Sequence, residues 1–173
     1  MTYSFVESEK LSGLIIVAEE RLDALADVLG CCAVVGRAQG SVLAGSRYRS
    51  PFAVEASHPV ISSTHVTAES GTGLVHCAPA HGTEDYHAFL ALDPASFKSG
   101  LLCHVDSEGN FTDSIVEVVG NSAAKEFVGQ DIMKAGSRSM IKLLEAAGAL
   151  AKVQRIRHRY PYDWKTGEPV ITL

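Results

Sequence analysis

Residues 71–86 have the sequence GTGLVHCAPAHGTEDY, which decides how the middle of the chain folds. Gly71, Gly73 and Gly82 permit backbone shapes and close approaches that a side chain would block. Between these glycine turns, the apolar run at residues 74–77 predicts a short buried strand. The stretch therefore predicts a strand enclosed by two tight turns, with His76 where the strand ends.

A helix is predicted after the second turn, from Thr83 to about Leu92. Thr83 is expected to cap it, and Asp93-Pro94 to end it. Asp85 falls in the first turn, where the helix dipole stabilises an ionised carboxylate. If it faces a pocket, this carboxylate is placed to hold a ligand ammonium group; otherwise it only compensates the dipole. His76 has the same two interpretations, as a site residue or as a packed core residue.

Three other kinds of site compete for this stretch. A phosphate-binding loop at residues 71–73 is disfavoured, because no lysine follows at the required spacing and the glycines do not open a helix. A Cys77–His nucleophilic pair is disfavoured, because strand neighbours face opposite sides. No C-x-x-C or H-E-x-x-H spacing supports zinc, so we predict no metal. The residues available for zinc would be His76, Cys77, His81, His87, Cys103 and His104.

Upstream, apolar runs at residues 3–6 and 14–17 flank a Lys-Leu-Ser-Gly turn and predict a β-hairpin. Residues 18–29 carry apolar side chains three and four positions apart, with acids in the first turn and Gly30 behind, and predict a helix. Further short strands, punctuated by glycine and proline, are predicted at residues 33–37, 42–43, 52–54 and 60–62.

Downstream, residues 101–105 predict a strand and residues 106–110 a turn rich in Asp, Gly and Asn. Two helices are predicted, one around residues 122–128 and a longer one from about 131 to 147. Many short strands with a few helices between them predict a mixed, β-rich fold. We expect a β-barrel-like core decorated with α-helices.

Composition limits the class of protein. The 173 residues suit one globular domain, and 46% hydrophobic with 20% charged residues argues against disorder. A net charge of −5 is unlike a free-standing nucleic-acid binder, which usually has a basic excess. Apolar runs are too short to span a membrane, and the first residues do not have the pattern of a signal peptide. The four cysteines show no paired spacing, which favours a reducing compartment and a protein that is not secreted.

Five blocks of the sequence, taken in order, resemble the editing domain of class Ia isoleucyl-tRNA synthetases, the connective polypeptide insertion. Residues 71–86 are similar to that family's signature G-T-G-[AILV]-V-H-x-A-P-[GA]-[HF]-G-x-[ED]-D-[YL]. Ser50 stands where one of the other blocks usually has histidine. The details are closer to bacterial and mitochondrial members than to the eukaryotic cytosolic type, and closer to isoleucine enzymes than to the valine and leucine sister families. The remaining blocks lie at residues 43–52, 58–67, 105–113 and 158–165.

The resemblance implies a fold, a division of the chain and an activity. Residues 1–154 would form the editing domain, and residues 155–173 the segment that returns to the catalytic domain. The whole enzyme would ligate isoleucine to tRNA with ATP and Mg²⁺, while the editing domain itself needs no cofactor. An isoleucine pocket also admits valine, because one methylene is worth only about 1–3 kcal/mol, a limit for which this family is the standard example. The editing domain would hydrolyse the mischarged Val-tRNA(Ile).

The resemblance also implies roles for particular residues. Asp85 would bind the α-ammonium of the misattached amino acid. His76 would line the side-chain pocket and help to reject isoleucine, and these two are the candidate catalytic residues. Gly71, Thr72 and Gly73 would shape the wall near the terminal adenosine. The attacking group would be a positioned water, with the rate coming from orientation and charge placement.

The chain departs from the family where a threonine-rich segment, expected just before Thr2-Tyr3, is missing, and it lacks the ATP-site motifs. We therefore expect the isolated chain to be folded but nearly inactive in deacylation. Its expected partners are the 3′ end of tRNA(Ile) carrying valine and the rest of the synthetase, in a monomeric enzyme of the bacterial cytoplasm or the mitochondrial matrix. The alternative functions are a non-catalytic module that binds the tRNA acceptor end, an editing domain of the valine or leucine sister enzymes, and a zinc-dependent hydrolase.

Overall fold

A computed structural model describes residues 1–52, 57–95, 101–153 and 160–172 of the chain. Its main sheet has three antiparallel strands in the order β2-β1-β3. The strands are β1 (Thr2–Ser8), β2 (Leu14–Ala18) and β3 (Cys32–Gln39). The predicted hairpin and the strand predicted at residues 33–37 are thereby confirmed.

The centre of this sheet is buried. Tyr3, Val6, Val17 and Ala18 are among the buried apolar residues, and three of them lie at or next to the paired ends of β1 and β2. Successive side chains of a strand point to opposite faces, so the adjacent buried residues Val17 and Ala18 show that both faces are covered at this end of β2. The end of the sheet at Tyr3 and Ala18 is where the candidate site attaches.

The helix predicted at residues 18–29 is broken into three helical turns. Two 3₁₀ turns, Glu19–Arg21 and Asp23–Leu25, precede the single α-helical turn α1 (Ala26–Leu29). The backbone of Leu25, with φ −102° and ψ 5°, departs from α-helical geometry and prevents a continuous helix. Gly30 follows with a positive φ, as predicted for a residue that ends a helix.

The short strands after β3 are displaced from their predicted positions. The prediction at residues 42–43 was wrong, because these residues belong to the helical turn α2 (Gly40–Leu43), whose first N–H donates to the carbonyl of Met1. A two-stranded sheet instead joins β4 (Arg47–Arg49) and β5 (Ser57–Pro59). Residues 60–62 are irregular, and residues 53–54 lie outside the described residues.

The regular elements in the second half of the chain are helical. After α3 (Thr83–Leu92), the strand predicted at 101–105 reduces to an isolated bridge between Val105 and Phe111, and the turn at 106–110 is confirmed. The later helical elements are Asp113–Ile115 (3₁₀), α4 (Val116–Val119), α5 (Asn121–Ala124), Ile132–Gly136 (π) and α6 (Ser137–Ala146). The helix predicted at 122–128 is thus only one turn, while the one predicted at 131–147 is present with a π-helical start.

A small core holds these helices together. Phe127 is fully buried and packs edge-on against Phe111, with ring centroids 5.6 Å apart. Ile115, Val119 and Ala124 complete the cluster. This core is formed by local sequence neighbours and is separate from the buried face of the sheet.

The mixed β/α character of the fold is confirmed, but the prediction that it is β-rich was wrong, because helical residues outnumber strand residues in the described part of the chain. The described strands form two open sheets and no closed barrel. No helix within the described ranges is long and apolar enough to cross a membrane. The proposed boundary between residues 1–154 and 155–173 falls where residues 154–159 lie outside the described residues, so that division stays a prediction.

Candidate functional site

Residues 71–73 attach to the end of the main sheet. The N–H of Ala18 donates to the carbonyl of Thr72 over 2.8 Å, and the hydroxyl of Tyr3 donates to the carbonyl of Gly73 over 2.7 Å. Arg21 adds a side-chain hydrogen bond to the carbonyl of Gly71. In all three hydrogen bonds the loop contributes a backbone carbonyl as the acceptor. These bonds therefore do not depend on which side chains residues 71–73 carry.

Gly73, in contrast, is required by its position. It is buried with φ +78°, and a Cβ built on it would lie 2.5 Å from Cβ of Ala18. Gly71 also has a positive φ, but open space surrounds it. Close approach to β2 explains the second glycine of the turn, while the first is needed only for its backbone conformation.

The strand predicted at residues 74–77 was wrong. The segment is irregular, and Leu74 and Val75 are 42% and 55% exposed. The carbonyl of Thr72 takes the N–H of Ala18, the last residue of β2, so the chain meets the sheet only at the end of this strand. Residues 74–77 have no strand partner in the described sheets, and an apolar run without one forms no ladder.

The helix α3 begins and ends as predicted, but its cap differs. Gly82 occupies the N-cap position, no side-chain cap hydrogen bond is formed, and Thr83 is the first helical residue. A Cβ on Gly82 would lie 3.1 Å from Oδ2 of Asp85. The glycine therefore leaves room for the Asp85 side chain to fold back over the start of the helix.

Asp85 is anchored through both carboxylate oxygens. Oδ2 accepts the backbone N–H of Ala78 over 2.9 Å, and Oδ1 lies 3.2 Å from Nε2 of His65. The opposite ring nitrogen, Nδ1, lies 2.8 Å from Oγ of Ser63. The Asp85 side chain is 16% exposed and that of His65 is 27% exposed. Asp85 is thus a shielded carboxylate that still reaches the surface.

Cys77 lies against the same carboxylate. Burial, followed by the charge of Asp85 and a hydrogen bond to it, raises the pKa of the Cys77 thiol from 9.0 to about 11. Its Sγ also lies 3.9 Å from the backbone carbonyl of Asp85. The thiol therefore stays protonated near neutral pH, which removes Cys77 as a nucleophile.

His76 is exposed, and no hydrogen bond or ion pair of this side chain occurs among the described residues. The structure therefore does not join His76 to Asp85 by a direct contact. His65 and Ser63, which do join Asp85, were missed from the sequence. The available signal was their place in the block at residues 58–67, just before the glycine turn.

Two adjoining clefts lie on the other side of the α3 start. They measure about 470 and 330 Å³, and both are lined by His81 and Thr172. Nδ1 of His81 lies 2.8 Å from the carbonyl oxygen of Thr172. Neither Asp85 nor His76 is among the described residues lining these clefts, which therefore form a separate feature.

The histidines near these clefts do not gather as a metal centre would require. Within the described residues, no three His, Cys, Asp or Glu side chains are close enough together to hold an ion. His104 faces Ser114, with Nδ1 2.8 Å from the hydroxyl oxygen. Burial lowers the pKa of His104, although the nearby Glu117 carboxylate opposes this shift. The zinc hypothesis gains no support from this arrangement.

No family model matches the chain, but curated relatives do. It is 36% identical over 172 residues to the isoleucine–tRNA ligase of Acaryochloris marina, and 38% identical over 175 residues to that of Thermosynechococcus vestitus. The mitochondrial isoleucine–tRNA ligase of Gallus gallus is 34% identical over 170 residues. These matches cover 99%, 99% and 98% of the chain but only 16%, 17% and 16% of the relatives. By sequence, the chain belongs to the isoleucine–tRNA ligase family and spans about one sixth of the length of these relatives.

Proposed function

We propose that this chain is the editing domain of an isoleucine–tRNA ligase. In the whole enzyme, which would join isoleucine to tRNA(Ile) at the expense of ATP, it would remove valine from mischarged tRNA(Ile). The observation that carries the proposal is the Asp85 carboxylate, which is shielded, anchored on both oxygens and still in reach of a ligand. It lies within the block that gives the sequence its resemblance to these domains.

The anchored carboxylate has capacity for an ammonium group. A carboxylate offers about four acceptor positions, and three described neighbours, the N–H of Ala78, the ring of His65 and the thiol of Cys77, take up three of them, which leaves one for a ligand. The low exposure of Asp85 weakens competition from water and strengthens a charge-assisted hydrogen bond. An α-ammonium group is the part of an aminoacyl ester that carries the matching charge.

The neighbouring residues supply the rest of the proposed pocket. His76 is exposed and therefore available to a ligand side chain, as a specificity residue would have to be. Gly71 and Thr72 are exposed at the turn, where they could border the terminal adenosine. Gly73 is buried, so its contribution is to anchor the turn on β2.

The proposed reaction is ester hydrolysis by water. The water oxygen attacks the carbonyl carbon of the valyl ester, the bond from that carbon to the ribose oxygen breaks, and the ribose oxygen takes up a proton. The products are free valine and tRNA with an intact 3′ end. Since Cys77 stays protonated, no covalent intermediate on this thiol is needed. When Asp85 holds the ammonium group, the ester carbonyl is fixed relative to the attacking water. This positioning of the two reacting groups raises the rate of hydrolysis.

The test is Asp85→Asn in a full-length isoleucine–tRNA ligase that carries this segment. Losing one charge-assisted hydrogen bond, worth about 1.5–3 kcal/mol, should slow Val-tRNA(Ile) deacylation roughly 10- to 100-fold. Isoleucine charging should be unchanged. Glu84→Gln is the matched control, because Glu84 is an exposed carboxylate in the same helical turn.

Equal deacylation by wild type and Asp85→Asn would contradict the ammonium site. Binding of valyl-adenosine without any hydrolysis in the whole enzyme would instead favour a non-catalytic module for the tRNA acceptor end. The expected inactivity of the isolated chain stays a prediction, which the same assay on the chain alone tests directly.

A further inference from the structure

We infer that His65, held in place by Ser63, is a positioning residue that orients the Asp85 carboxylate toward the amino group of an aminoacyl ester. The inference rests on the proposed function of Asp85 and assigns two further residues to that site. It comes from one juxtaposition: His65 lies between Ser63 and Asp85, with Nδ1 2.8 Å from Oγ of Ser63 and Nε2 at an ion-pair distance of 3.2 Å from Oδ1 of Asp85.

Both nitrogens of the His65 ring are engaged. A neutral imidazole has one donor and one acceptor nitrogen, and the partner of each decides which is which. Asp85 accepts only, so Nε2 must carry the hydrogen that faces Oδ1. Nδ1 is then the acceptor, and the hydroxyl of Ser63 donates to it over 2.8 Å. Ser63 thereby fixes the tautomer that Asp85 needs.

The contact with His65 limits rotation of the Asp85 carboxylate. With the N–H of Ala78 on Oδ2 and Nε2 of His65 on Oδ1, the carboxylate plane is held at two points. Without His65, only the N–H of Ala78 and the thiol of Cys77 remain as described contacts, and the carboxylate turns more freely about its Cβ–Cγ bond. A ligand would then have to order this group as it binds, at a cost in affinity. Since the pair is only partly exposed, water does not readily replace the lost donor.

The same three residue types form the catalytic triad of serine hydrolases, but the connections here are reversed. In such triads the serine contacts Nε2 and the acid contacts Nδ1. In this chain Ser63 contacts Nδ1 and Asp85 contacts Nε2. Ser63 also lies two residues from His65 in the same irregular segment. We therefore assign Ser63 a tautomer-fixing role and no covalent step.

The experiment measures binding of two ligands to the chain by NMR titration. One is adenosine carrying valine through a 3′-amide, which cannot hydrolyse as the ester does. The other is the 3-methylbutanoyl amide, which has the same side chain and no amino group. The affinity ratio of the two ligands isolates recognition of the amino group from all other contacts.

His65→Ala should weaken the valyl ligand roughly 3- to 10-fold, the cost of ordering one side chain on binding, and leave the 3-methylbutanoyl ligand unchanged. His65→Gln should restore most of the loss, because its amide N–H can replace Nε2–H. Ser63→Ala should have a smaller effect in the same direction. His87→Ala is the matched control, since His87 is an exposed histidine on α3 close to Asp85 in sequence.

Asp85→Asn separates the two levels of the hypothesis. If it removes the preference for the amino group while His65→Ala leaves that preference intact, the role of His65 is wrong and the proposed function stands. If Asp85→Asn keeps the preference, or the wild-type chain shows none, the proposed function fails and His65 with it. Equal weakening of both ligands by His65→Ala and by His65→Gln would mean a purely structural histidine and would overturn the inference.

Discussion

Gly73→Ala should destabilise the chain strongly, because the added methyl group has no space. Its Cβ would lie 2.5 Å from Cβ of Ala18 and 3.3 Å from Sδ of Met1. The residue also has φ +78°, a conformation that costs a non-glycine residue roughly 1–2 kcal/mol. Overpacking of a close contact adds about 1–3 kcal/mol. We therefore expect a total loss of roughly 2–5 kcal/mol in the free energy of unfolding.

Gly71→Ala is the matched control for this substitution. Gly71 has φ +60° in the same turn, and a built Cβ meets nothing within 4 Å. It should lose only the conformational contribution, about 1–2 kcal/mol. Urea unfolding followed by circular dichroism gives both values, and their difference isolates the contact with Ala18.

A second substitution tests the contact itself. Ala18→Gly removes the methyl group that faces Gly73, so the double variant Gly73→Ala/Ala18→Gly should recover part of the stability that the single Gly73→Ala variant loses. Equal costs for Gly71→Ala and Gly73→Ala, together with no recovery in the double variant, would refute the reasoning. The loop would then not be docked on β2 as described.

Two further predictions concern the site. His76→Ala in the full-length enzyme should let correctly charged Ile-tRNA(Ile) be deacylated, because the residue proposed to exclude the larger side chain is gone; unchanged selectivity would remove His76 from the pocket. For Cys77, the folded pKa of about 11 lies above the ordinary 9.0 of an unfolded thiol. Its contribution to stability should be complete below pH 9 and lost as the pH rises through 11. Urea unfolding from pH 7 to 11 should therefore show a steeper decline for the native chain than for Cys77→Ala, and parallel curves would disprove this.

Sequence patterns predicted the elements whose partners are close in the chain. The β1–β2 hairpin follows from two apolar runs around a short turn, and its register joins Tyr3 to Ala18 without help from distant residues. The helix α3 follows from Thr83 to Asp93-Pro94 in the same way, because its hydrogen bonds are internal. Local chemistry was sufficient in both cases.

The predictions that failed concern residues whose structure depends on segments distant in the sequence. Leu74 and Val75 have the composition of a strand, but a strand also needs a partner strand beside it, and neither described sheet pairs with these residues. Likewise, no periodicity could place the ring of His65 against Asp85, because that contact joins two segments through tertiary structure. The position of Asp85 in the first turn of the helix was predicted from the sequence. The orientation of its side chain was not.

The arrangement explains why a single acidic residue could serve an amino-group site. Three features of the fold act on Asp85: Gly82 leaves the space into which its side chain folds, the N–H of Ala78 contacts one oxygen, and His65 contacts the other. The two contacts remove conformational freedom before any ligand arrives, so the carboxylate is ordered during folding and not during binding. An exposed carboxylate such as Glu84, in the same helical turn, has none of the three described features and would have to be ordered as each ligand binds. Asp85 and Glu84 therefore do not differ in the helical turn that they occupy. They differ in how far the side chain is ordered before a ligand binds.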